Sequence, residues 1–165
     1  MSKFLHFNDS KFVITSLFLC IFSSLSIYAQ GCDVNLEVEK QRSSKSAFSS
    51  GALFSLKLSN DGRSPKTFDL IVESSDVKCD TKRMSQKANN VFVDTEILSH
   101  NGKSSISNSV IVQAGEVYKF SVRATPKSGT LYDTWSCVSV KAISSDCTTD
   151  LETTLKVFIP NPSEH

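Results

Sequence analysis

The sequence predicts an all-β protein, a two-sheet antiparallel sandwich of seven or eight strands. Three observations carry this. After Cys32, apolar residues alternate with polar ones through most of the chain, the period of strands with one buried face. Turn residues punctuate the alternating runs at short intervals. No window carries an apolar stripe at helical spacing.

Each run can be justified in order. "VNLEV" places Val34, Leu36 and Val38 on one face, and "LFSLKLS" does the same with Phe54, Leu56 and Leu58. "TFDLIVE" follows with Phe68, Leu70 and Val72, then "NVFVDTEIL" and "SVIVQ". "VYKFSVRAT" presents Tyr118, Phe120, Val122 and Ala124 to one side. "CVSVKAI" offers Val138, Val140 and Ala142, and "TTLKVFI" offers Leu155 and Val157. β-Branched and aromatic residues of this kind suit a half-buried pleated surface. Asn60-Asp61-Gly62 and Asn101-Gly102 read as turns, because Asn and Gly tolerate the positive φ of tight hairpins. Ala114-Gly115 separates two runs, and Pro126 closes the strand before it. The Ser-rich residues 41–51 read as a long first loop. No internal repeat and no second domain is visible.

The N-terminus reads as an address. Lys3 and Lys11 form a positive n-region before an apolar run over residues 12–27, the pattern of a signal peptide, here residues 1–29, with the folded domain over 30–165. The run is short for a membrane helix and is diluted by Ser23, Ser24 and Ser26, so no transmembrane span is expected in the mature chain. Ala29 and Ile27 suit cleavage before Gln30. The alternative is lipidation of Cys32, for which Gly31 is right, but Ala29 and Gln30 are poor. Either way the expected location is secreted, periplasmic or cell-surface. Loss of Lys3, Lys11 and Asp9 cancels the formal charge of +1. A neutral chain lacks the basic stripe of a nucleic-acid binder, so nucleic acid is set aside.

Export changes how the cysteines read. Cys20 leaves with the signal peptide, and Cys32, Cys79, Cys137 and Cys147 form an even set suited to two disulfides. Spacing alone leaves all three pairings open. No C-x-x-C pair occurs and histidine is scarce, so neither a zinc site nor any other metal or cofactor is expected. Asp61, Asp76, Asp80 and Asp146 also lack the spacing of a calcium loop.

Catalytic signals are weak. The mature chain keeps His100 and His165, one beside a turn and one at the terminus. Asp94 and Glu96 share a strand face and read as solvated carboxylates rather than an acid–base pair. "NGKSS" resembles a phosphate loop only superficially, because Ile97 stands where that motif needs glycine. No catalytic residue is assigned.

Two binding candidates remain. The polar residues 74–90 carry Lys78, Lys82, Arg83 and Lys87 against Asp76 and Asp80, and long loops on rigid sandwiches are frequent binding sites. Tyr132 and Trp135 could stack on a sugar or pack against a protein. Packing within the domain is the alternative for Trp135.

The stretches "FSLKLSNDGRSPKTFDLIVES" and "VIVQAGEVYKFSVRATPKSGTLYDTWSCVSVKAIS" resemble the immunoglobulin-like, fibronectin-III-like accessory domains of bacterial surface proteins and glycosidases. The likeness lies in turn and core features. An Asn-x-Gly turn precedes a Phe-Asp-Leu strand, a Gly-Glu turn leads into a strand ending in Pro, and an aromatic-rich hairpin follows. It covers most of residues 54–159, with residues 74–90 longer than the usual connection. The resemblance implies an immunoglobulin-like sandwich with Cys32–Cys147 and Cys79–Cys137 disulfides, and a Trp135 packed over one of them. It further implies a non-enzymatic binding or structural module with a protein or glycan partner. The alternatives are an outer-membrane lipoprotein anchored through Cys32, and a carbohydrate-binding accessory domain or hydrolase.

Overall fold

The protein's structure, a computed structural model, describes residues 32–75 and 91–164. The signal-peptide reading therefore falls outside the described residues, as do Cys79, Lys78, Lys82, Arg83 and Lys87. The strands are β1 (Val34–Val38), β2 (Ser44–Ser46), β3 (Ala52–Asn60), β4 (Lys66–Ser74), β5 (Val93–Ser99), β6 (Ser109–Val112), β7 (Glu116–Pro126), β8 (Thr134–Ile143) and β9 (Leu151–Ile159). One sheet runs β1-β3-β7-β5 and the other β2-β9-β8-β4-β6. Among the described strands, the chain changes sheet at every step from β1 to β8, and only β8 and β9 are sequential neighbours in one sheet.

Alternation explains this packing. Along β3 every second residue from Ala52 to Asn60 is buried, and the register sets Phe54, Leu56 and Leu58 beside Val122, Phe120 and Tyr118 of β7. Phe68 and Leu70 of β4, Val138 and Val140 of β8, and Leu155 and Val157 of β9 close the core from the facing sheet. These are the faces expected from the sequence.

The strand inventory needs one correction. Nine strands form among the described residues rather than seven or eight, and the pairing is not wholly antiparallel. The extra strand, β2, lies inside the expected long loop and runs parallel to β9, with Ser44 beside Lys156 and Ser46 beside Phe158. "SKS" has no apolar alternation to announce it. Backbone bonds from Lys156 N–H to Ser43 O and from Ala47 N–H to Phe158 O hold it on β9. Lys45 turns inward over the Phe54 ring, 5.3 Å from its centroid, and donates a hydrogen bond to the Leu53 carbonyl. Burial holds the Lys45 ammonium below its usual pKa, with nearby Arg42 adding to the effect.

Polar ties join the two sheets. The fully buried Asn60 amide donates to the Ser64 and Val112 carbonyls at 2.9 and 3.0 Å, and its side-chain oxygen accepts from Gly62 N–H at 3.2 Å. The expected Asn60-Asp61-Gly62 turn is therefore also a structural anchor. At the other edge, Ser74 Oγ bridges both backbone groups of Val93, and Thr95 Oγ1 donates to Val72 O. Cys32 and Cys147 form a disulfide with Cα atoms 5.5 Å apart, tying the start of β1 to the β8–β9 connection. Cys137, buried on β8, is half of another disulfide.

Candidate binding site

Three segments distant in sequence meet at one end of the sandwich. Residues 47–49 follow β2, residues 126–132 follow β7, and residues 159–162 follow β9. They enclose an open groove of about 760 Å³. Local chemistry shapes each wall. Ala47 N–H donates to Phe158 O at 2.7 Å, pinning the first segment to β9, and Gly51 N–H closes a turn on Phe48 O at 2.8 Å. Gly51 has φ +79°, and a Cβ there would meet Thr125 Oγ1 at 2.6 Å and Ala124 O at 2.9 Å. That turn therefore requires glycine. In the second segment, Thr130 N–H and Oγ1–H both donate to Lys127 O. Asp133 N–H donates to Ile159 O at 2.7 Å and ties this wall to the third.

The groove has an apolar floor and apolar walls, with hydroxyls of Ser49, Ser128, Thr130 and Tyr132 among its lining. Ala47 and Ile159 are buried beneath it, whereas Phe48, Tyr132 and Leu131 stand 45%, 55% and 65% exposed at its walls. Pro126, Pro160 and Pro162 line it without backbone N–H groups. No lining residue has a carboxylate or carboxamide side chain. The one cation, Lys127, is held by Asp94 at 3.5 Å.

The expected site residues are distributed differently. Tyr132 lines the groove; Trp135 does not. Trp135 lies half-buried on the outer face of β8, its ring 5.0 Å from that of its cross-strand neighbour Phe158. Cys137 is two residues along the same face. Glu96 pairs with Arg123 at 3.3 Å and accepts from Ser105 Oγ, so both carboxylates of β5 sit in surface ion pairs. Among the described residues, no three His, Cys, Asp or Glu side chains gather as a metal ion would require. Sequence reasoning missed Phe48 and Leu131. Their only signal was an isolated aromatic in a serine-rich stretch and an apolar pair just past the Ser128-Gly129 turn.

No protein-family model matches the chain, and no curated protein matches it in sequence. Solved structures do. A family 123 glycoside hydrolase from Clostridium perfringens matches at 8% identity and a TM-score of 0.51, over 72% of this chain and 22% of the hydrolase. The fold is immunoglobulin-like. A FixG-related protein from Vibrio parahaemolyticus matches at 13% identity and a TM-score of 0.42, over 78% of this chain and 94% of its own. The periplasmic chaperone SfaE matches at 14% identity and a TM-score of 0.45, over 77% of this chain and 58% of its own. At such identities the likeness concerns architecture, and function must be argued from the site. No helix among the described residues is long and apolar enough to cross a membrane.

Proposed function

We propose that the chain is an exported, non-enzymatic binding module of the periplasm or cell surface that seats an apolar segment of another polypeptide in the end groove. The carrying observation is the groove's lining, with exposed Phe48, Leu131 and Tyr132 over a buried apolar floor and its one cation already paired. Exposed aromatic and aliphatic anchors on a rigid rim are what protein interfaces concentrate. Sugar sites instead place carboxylates or amides against vicinal hydroxyls, and this groove has neither.

Export is supported by the Cys32–Cys147 bond, since disulfides persist in oxidising compartments. The same bond argues against the lipoprotein alternative. A diacylglycerol thioether would need the Cys32 sulfur that Cys147 already holds. Residues 1–29 then serve as a signal peptide cleaved before Gln30.

Amide chemical-shift mapping tests the reading. Apolar peptides added to the labelled mature chain should shift Ser128, Gly129, Leu131 and Tyr132, and the double variant Leu131→Ser, Tyr132→Ser should abolish the response. Oligosaccharides shifting these same amides, with peptides silent, would replace the reading with a glycan-binding one.

A further inference from the structure

Both sheets end in edge strands among the described residues, and three of these four edges carry a charged guard. β1 carries Glu37, paired with Lys57 at 2.8 Å, and is tied down by the disulfide at Cys32. β2 is three residues long and turns Lys45 inward. β5 presents Asp94 and Glu96, and Ser99 and Ile97 bond back to Ser104 and Ile106 along its far end. Short length, charge, inward-facing lysine and covering loops are the usual means of preventing edge-to-edge association.

β6 is short as well, at four residues, but it has no such charge guard. It ends its sheet, bonded to β4 on one side only among the described residues. No charged residue occurs between Lys103 and Glu116. Ile111 at its centre is 63% exposed. The bond from Leu70 N–H to Asn108 O sets the phase of the β4–β6 ladder. Val110 and Val112 therefore direct their backbone groups to β4, and Ser109 and Ile111 direct theirs to the open edge.

We infer that β6 pairs antiparallel with β6 of a second copy of this chain, about a two-fold axis at Ile111. The sequence of the edge is self-complementary for that arrangement. Ser109-Val110-Ile111-Val112-Gln113 reads polar, Val, Ile, Val, polar in both directions. Antiparallel pairing at Ile111 sets Val110 against the partner's Val112, and Ser109 against the partner's Gln113. The two Ile111 residues exchange both backbone hydrogen bonds and cover one another on the outer face. Such an interface uses the same patch from both subunits and closes as a dimer rather than growing. The inference is independent of the end groove.

Sedimentation velocity of the mature chain over a range of concentrations is the test. A concentration-dependent dimer is expected. Ile111→Lys should give a monomer with an unchanged melting temperature at dilution, since the Ile111 side chain is solvent-facing. Ile111→Pro should do the same by removing an N–H that β4 does not use. Ile111→Cys should cross-link copies under mild oxidation, whereas Val117→Cys, also exposed but on the interior strand β7, should not. A chain that stays monomeric throughout overturns the inference, as does a dimer that survives both Ile111→Lys and Ile111→Pro. A monomer that adds only a foreign strand at β6 also overturns it.

Discussion

Asn60 ends β3 fully buried, and its side chain holds both a turn and the facing sheet through Ser64 and Val112. Asn60→Ala strands those acceptors and should cost about 1–3 kcal/mol, read by chemical denaturation. Ser136 gives the opposite case. Its hydroxyl is buried on β8 without a hydrogen-bond partner among the described residues, so Ser136→Ala should leave stability unchanged or raise it. The acid side of the pH profile belongs to this scale too. A hydrogen bond from Lys119, at 2.9 Å, holds the Glu39 carboxyl below the usual carboxylate range, with burial opposing. A depressed carboxyl stabilises the fold above its unfolded pKa, and that contribution fades as pH falls through the folded value. Carbon-detected titration should place Glu39 low in the native chain and nearer normal in Lys119→Ala.

Strands are paired here by what they present sideways as well as by which face they bury. β2 has no apolar residue, yet backbone bonds from Lys156 N–H to Ser43 O and from Ala47 N–H to Phe158 O hold its parallel register on β9. Lys45 ties it to the facing sheet through the Leu53 carbonyl and the Phe54 ring. Its ammonium at this edge also obstructs an incoming strand. Lys45→Ile removes the charge and leaves a β-branched edge. The variant should stay folded but aggregate faster on warming, as light scattering would show. A variant no more prone to aggregate than the parent would separate Lys45 from edge protection. The 99–106 connection shows the same logic. Ser121 Oγ donates to His100 O at 3.0 Å and Arg123 to Gly102 O at 2.9 Å, laying that turn over the outer face of β7. The expected Asn101-Gly102 turn thus covers one sheet as well as reversing the chain.

Across the whole molecule, the Cys32–Cys147 bond closes a loop with a sequence separation of 115 residues. In the chain-entropy view, such closure stabilises by about 4–5 kcal/mol, and measured losses for native bridges run about 2–5 kcal/mol. Cys32→Ser paired with Cys147→Ser should lower the melting temperature clearly while keeping the β-sheet circular dichroism. The bridge joins opposite sheets at one end of the sandwich. Its loss should therefore show first as faster amide exchange in β1 and the β8–β9 connection.

The strand positions and their buried faces were legible in the sequence, because alternation is a local property that each pleated strand writes for itself. Phe54, Leu56 and Leu58 announced their face without reference to any neighbour. The turns at Asn60-Gly62 and Asn101-Gly102 were legible for the same reason. Other features belonged to the tertiary structure alone. β2 exists because β9 and the Phe54 ring receive it, and its own residues carry no strand period. The end groove gathers Phe48, Leu131 and Tyr132 from segments that approach only once both sheets are packed. Tyr132 was singled out from sequence, but its separation from Trp135 followed from the direction of β8. A sequence determines which face of a strand avoids water; which distant surfaces then come together is decided by how the sheets stack.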